Sequence, residues 1–207
     1  MSPETSPATV KIVVILGHPD TASFGSAIAR AYAAGAEAFG AAVRTIDLGE
    51  LTFDPVLWHG YREIQPLEPD LVDAQAAIRW ADVLVFAYPT WWGAAPALLK
   101  GFIDRVFLPG FAFKYRENSR FWDRLLAGRS GRLLVTMDTP HWYYRLVVGQ
   151  PGHRMMRRAI LGFSGVKPVR TSVFGAVRGS TAATREQWLA KARTLGERDA
   201  GRVARTR

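Results

Sequence analysis

Residues 81–107, ADVLVFAYPTWWGAAPALLKGFIDRVF, change their pattern twice. Residues 82–88 form a short, mostly apolar run, the signature of a strand buried on both faces. Residues 89–95 form a turn that holds two adjacent tryptophans, Trp91 and Trp92, before Gly93. From Pro96 the apolar residues Leu98, Leu99, Phe102, Ile103, Val106 and Phe107 fall at helical spacing. Pro96 suits a first-turn position, where its missing N–H costs no helix bond. A strand covered on both faces and followed directly by a helix belongs in a parallel sheet. Such sheets bind ligands beyond the carboxyl ends of their strands. The loop from Pro89 to Gly93, with Thr90 between, is therefore the expected wall of a site.

The rest of the chain repeats this unit. Residues 11–17, KIVVILG, form a strand that leads through HPDTASFGSA into a helix over residues 23–39. This first connection offers His18, Thr21 and Ser23 side chains and the unpaired N–H groups of a new helix, an anion site by its nature. The same residues also suit a plain N-cap by Thr21 or Ser23, with His18 as a hydrogen-bonded loop residue. Residues 43–48 form a less apolar strand, nearer an edge. Residues 49–69 lack a period, and residues 70–80 are helical. Residues 108–126 are expected to be irregular, with aromatic and basic residues interleaved. These could anchor an extended loop, fill a dimer interface, or stack on bases or a flat cofactor. Residues 129–137 form a fourth strand that ends in Asp138 and Thr139. A helix over 153–161, a strand over 166–175 and a last helix from Ser180 or Thr181 complete the alternation. Neither a dinucleotide glycine motif nor a Walker loop is present. Five parallel strands without that glycine motif predict an α/β, flavodoxin-like three-layer sandwich of strand order 2-1-3-4-5. One domain is expected over residues 10–197, between a disordered tail at 1–9 and a basic flexible tail at 198–207.

The chain's 207 residues are 48% hydrophobic, enough for one sizeable core. There is no cysteine, which excludes disulfides, thiolate nucleophiles and cysteine-ligated metals. No metal site is expected. No run approaches bilayer-spanning length and the N-terminus does not read as a secretory signal, so a cytoplasmic protein without an integral membrane segment is expected. The net charge of +9 invites a nucleic-acid reading. Much of that charge falls from Arg178 onward, where eight basic residues face three acidic ones. No recognition motif accompanies it, so no nucleic-acid partner is expected.

Three segments resemble the flavodoxin-like NAD(P)H:quinone oxidoreductases: HPDTASFGSA at 18–27, AYPTWWGAAPALLKGFIDRVFLPGFAF at 87–113 and LGFSGV at 161–166. The resemblance implies a flavin, FMN or FAD, with NAD(P)H as electron donor, a quinone or similar acceptor, and a homodimer. It assigns the flavin phosphate to His18, Thr21, Ser23 and Phe24, with Gly25 where relatives often carry Asn. It places the ring along Pro89, Thr90, Trp91, Trp92 and Gly93, and a second ring loop at Thr136, Met137, Asp138 and Thr139. Relatives commonly have a Thr-Thr-Gly-Gly type sequence there. Tyr144 matches a substrate-pocket tyrosine by spacing. Relatives often carry a histidine six residues on, where this chain has Gln150, so His141 and His153 are the candidate supporting acids. The resemblance also admits azo- or nitro-compound reduction on the same scaffold, or a flavin-binding regulatory subunit of a membrane transporter.

Overall fold

The computed structural model describes residues 9–204. Five strands build one parallel sheet: β1 (Lys11–Leu16), β2 (Ala42–Asp47), β3 (Val83–Pro89), β6 (Ser130–Met137) and β7 (Val169–Gly175). Their spatial order is β2-β1-β3-β6-β7, the expected 2-1-3-4-5 when only these five are counted. β2 lies at an edge, as its sparser apolar pattern predicts.

Alternation along the central strands decides the layers, because successive side chains leave a strand on opposite faces. Ile12, Val14 and Leu16 of β1 join Val83, Val85 and Ala87 of β3 against α1 (Phe24–Ala38) and α6 (Ala182–Ala204). Val13 and Ile15 join Leu84, Phe86 and Tyr88 on the other face. That face packs on α2 (Pro69–Trp80) and α3 (Ala97–Val106). Each such fully buried aliphatic side chain contributes roughly 1.5–3 kcal/mol.

Several local expectations shift. Pro96 is the N-cap of α3 rather than a residue inside it, with extended backbone at ψ 150. Residues 108–126 are not wholly irregular. They contain an antiparallel hairpin, β4 (Phe113–Tyr115) with β5 (Trp122–Arg124). Phe111 and Phe113 are buried there and Trp122 stacks on Phe163 at 4.4 Å, so these three anchor the segment, while Tyr115 and Phe121 stay exposed. Residues 141–153 include a short helix that sequence reasoning missed, α4 (His141–Leu146). The helix expected over 153–161 starts earlier as α5 (Pro151–Arg154) and continues as a π-helical segment, Met155–Gly162. β7 begins at Val169 rather than at Val166, after Pro168, which has no N–H to donate.

The long segment 49–68 is pinned by Arg105 of α3, which is fully buried. Its guanidinium donates to the carbonyls of Asp54 and Pro66 and to both carboxylate oxygens of Glu68. Burial alone would raise the Glu68 pKa, but hydrogen bonds from the backbone and from Arg105 hold it below the usual carboxylate range.

At the other end, residues 198–204 are not the flexible tail expected from sequence. They belong to α6, and Asp199 is buried. Residues 205–207 of that tail, and residues 1–8 of the expected N-terminal one, lie outside the described residues. Asp199 accepts a bidentate pair of hydrogen bonds from Arg132 of β6, one at 2.7 Å, and another from the Tyr32 hydroxyl at 2.9 Å. Arg132 also reaches Ser172 at 3.0 Å. α6 lies close enough to α1 to make this possible because Gly35 and Gly196 face it and its partner backbone. A Cβ on Gly35 would lie 2.0 Å from the Arg193 carbonyl oxygen, and one on Gly196 would lie 2.1 Å from that of Tyr32.

Removing Asp199 leaves Arg132 charged and unpaired inside the protein. Asp199→Ala is therefore expected to cost about 3–5 kcal/mol in denaturant unfolding. A loss below roughly 1 kcal/mol would show that α6 is held by apolar packing alone.

Candidate functional site

Strand register assembles the site. Leu16 lies opposite Ala87, Pro89 opposite Thr136 and Met137 opposite Gly175, so the carboxyl ends of β1, β3, β6 and β7 finish together. The Thr90 N–H extends the β3–β6 ladder by one bond, 2.7 Å to the Thr136 carbonyl. Beyond this edge opens a cleft of about 230 Å³ with a wide mouth to solvent.

His18, Ser23, Phe24, Gly25, Pro89, Thr90, Trp91, Thr136, Met137 and Asp138 line this cleft. Ser23 caps α1: its Oγ accepts from the Ser26 N–H at 3.2 Å. That satisfies one first-turn donor and leaves the N–H groups of Phe24 and Gly25 for a ligand. His18 accepts the Asp20 N–H on Nδ1 at 2.8 Å, which fixes its ring edge-on to Trp91 at 5.4 Å. The cap and the loop hydrogen bond expected as alternatives to a binding role are thus both present, and they position these residues at the cleft. Thr21 stands aside. Its methyl points toward Gly49, and its carbonyl accepts from Arg30 at 3.2 Å.

Trp92, Gly93 and Thr139 are not among the lining residues. The turn from Trp91 to Ala94 closes on itself with reciprocal N–H to carbonyl bonds of 2.9 Å. Its central residues take positive φ, 50 at Trp92 and 77 at Gly93. Gly93 accepts this freely, whereas a bulky residue such as Trp92 is strained there. The surroundings compensate. The Gly93 carbonyl accepts from the Tyr144 hydroxyl at 2.9 Å and from the Gly152 N–H at 3.0 Å. Trp92 itself projects fully into solvent, with a relative exposure of 105%.

That geometry corrects the role expected for Tyr144. Its side chain is 2% exposed, and its hydroxyl donates to Gly93 and accepts from Gly152 at 3.2 Å, so it braces the turn instead of facing the cleft. His153 packs edge-on against Tyr144 at 5.0 Å and is 4% exposed. Burial first, then the neighbouring His141 and Arg157, push its pKa down to about 4. Its imidazole is held in the neutral form near pH 7 rather than as an imidazolium acid. His141 is exposed on α4, outside the lining residues.

Two lining residues were missed, Val177 and Arg178. They follow β7, and Val177 reaches back to the Met137 carbonyl at 3.3 Å. Asp138 accepts the Arg178 N–H at 2.8 Å, which ties the two loops together. The signal was available, since any loop after a parallel strand lies at this edge. The cleft thus offers backbone donors and an arginine at its rim, a half-exposed indole at one wall, and Thr136 and Met137 as a mostly buried floor. That set suits a flat ring system with an anionic tail.

A family described by the flavodoxin-like fold matches residues 10–195. The chain is 29% identical over 169 residues to an uncharacterized NAD(P)H oxidoreductase of Haemophilus influenzae, covering 79% of this chain and 82% of that one. It is 30% identical to a ribosyldihydronicotinamide dehydrogenase-like protein of Penicillium crustosum, over 62% of this chain and 57% of that one. The chain spans about half the length of several other curated relatives it matches. A solved NAD(P)H:quinone oxidoreductase of Methanothermobacter marburgensis superposes with a TM-score of 0.77 at 25% identity, covering 92% of this chain and 98% of that one.

The His153 environment has a measurable consequence. Its unfolded value is the ordinary 6.5, so between 6.5 and about 4 only the unfolded chain takes up the proton. Stability from this site is complete above 6.5 and is lost as pH falls through that window. Melting temperatures at pH 7 and pH 5 (about the middle of that interval) are expected to fall less for His153→Phe than for the unsubstituted protein. An equal fall in both places the titrating group elsewhere.

Proposed function

The chain belongs to the family with the flavodoxin-like fold, and on that premise we propose that it is a flavin-dependent NAD(P)H oxidoreductase that reduces a quinone or similar acceptor. One observation carries the reading. A single cleft joins the free N–H groups at the start of α1 to an aromatic wall at Trp91, which is 44% exposed. The names of the Haemophilus and Methanothermobacter relatives support it.

The residues present fit a flavin. A Cβ on Gly25 would meet Ser23 Oγ at 3.7 Å and Thr136 Oγ1 at 3.8 Å, so the cradle is open there and its walls are polar. The Phe24 and Gly25 N–H groups and the Ser23 hydroxyl would hold a phosphate, with Arg178 adding positive charge at the rim. Trp91, steadied by His18, would cover one side of the ring. Thr136 and Met137 close the floor, so water is excluded from below while the outer side stays open to the nicotinamide and then the acceptor. When bound, the flavin supplies the hydride chemistry, and the chain supplies orientation and charge.

No step needs Tyr144 or His153 as an acid. We assign protonation of the acceptor to solvent at the open mouth. The second copy of a homodimer would occupy the apolar groove between α3 and the β4–β5 hairpin, lined by Tyr61, Ile103, Phe107, Phe113, Ile160 and Phe163.

Turnover of NADH and NADPH with a soluble quinone tests this. The purified, flavin-loaded protein is expected to oxidise at least one of them at a rate that needs the quinone. Absence of oxidation with either donor contradicts the reading. His141→Ala is expected to keep kcat within about twofold, because losing a true general acid costs roughly 10²- to 10⁴-fold.

A further inference from the structure

The segment that holds α4 has a composition that the flavin site does not use. Between Asp138 and Glu186 the sequence carries no acidic residue, and three of its arginines, Arg145, Arg154 and Arg157, lie on or beside α4. The first part of this segment also exposes a run of apolar side chains. Trp142 is 64% and Leu146 75% exposed, and Tyr143, Val147 and Val148 are exposed beside them. Trp92 extends the same surface. The position of a Cβ on Gly93 lies 4.0 Å from Val148 and 3.5 Å from Pro151, and Tyr144 bonds Gly93 from within α4. The cations are part of it. Arg145 is on α4, the Arg154 guanidinium lies 3.9 Å from the Cβ position of Gly149, and Arg157 acts on His153. None of these three arginines pairs with a carboxylate among the described residues.

We propose that this face docks on the surface of an anionic lipid bilayer, peripherally and without spanning it. Among the described residues no helix is long and apolar enough to cross a membrane. The chemistry matches an interface. Trp and Tyr favour the headgroup level, Leu146, Val147 and Val148 reach toward hydrocarbon, and arginines beside them meet lipid phosphates. Charge selects this occupant over a second copy of the chain. A two-fold pairing would set Arg145, Arg154 and Arg157 against their own copies, and like charges in register oppose association. A nucleic acid would satisfy the arginines and leave the exposed aliphatic residues in water. The proposal does not rest on the oxidoreductase reading, since docking needs no turnover.

Vesicle co-sedimentation of the whole chain tests it. One vesicle is pure phosphatidylcholine and the other contains one quarter phosphatidylglycerol by the experimenter's choice. Binding is expected to the anionic vesicles, to weaken as salt rises, and to be slight on the neutral ones. Arg145→Gln should lower the partition coefficient roughly fivefold. Trp142→Ser with Leu146→Ser should lower it further, with the melting temperature unchanged. Failure of the unsubstituted chain to bind anionic vesicles overturns the proposal. So does binding that the double variant leaves intact. Conversion of a dimer to a monomer by the double variant, without vesicle binding by the parent, would assign the face to a second copy. Salt-sensitive binding of a mixed oligonucleotide in place of vesicles would assign it to nucleic acid. The activity assay with a soluble quinone is independent of all these outcomes.

Discussion

The pairing of β3 with β6 is the constraint on which the site depends. Their parallel register carries through Pro89 and Thr136 and ends in the Thr90 N–H to Thr136 carbonyl bond of 2.7 Å. A slip of one residue would turn Tyr88 and Phe86 from one helical layer to the other. It would also separate the Trp91 loop from the Thr136–Asp138 loop. With the register fixed, the first turn of α1 is brought beside them by β1, because the Gly17 N–H bonds the Ala87 carbonyl at 2.8 Å. Binding residues from distant parts of the chain therefore meet as a consequence of sheet geometry.

Two polar networks support this frame from either side. On one face Arg132, Asp199 and Tyr32 join α6 to the sheet and to α1. On the other, Arg105 gathers the long segment 49–68 against α3. Above the sheet, Tyr144 braces the strained Trp92 turn through Gly93. The turn carries a positive φ at a tryptophan, and this brace holds that strained backbone in place.

Much of this was legible in the sequence, for physical reasons. Uninterrupted apolar runs such as residues 82–88 can only be covered on both faces, and helical spacing after each run supplies the cover. Those facts give the sheet, and the carboxyl-edge rule gives the loops at His18, Trp91 and Thr136. What escaped is long-range or short. Arg132 and Asp199 are 67 residues apart, and no local pattern pairs them. Gly35 and Gly196 matter only because two helices touch there. α4 has 6 residues, too few to show a period. Spacing matched Tyr144 to a substrate-pocket tyrosine, yet spacing holds no information on where a hydroxyl points. Arg178 was visible as charge, but its place at the cleft follows only from the end of β7.

The account's central claim is that the cleft beyond β1, β3 and β6 holds one flavin. Titration of the ligand-free protein with FMN and with FAD, followed by quenching of flavin fluorescence, tests it most directly. The account predicts saturable uptake of at least one of them at one flavin per chain, weakened by Gly25→Leu, whose side chain would enter the cradle. No saturable uptake of either flavin would contradict it.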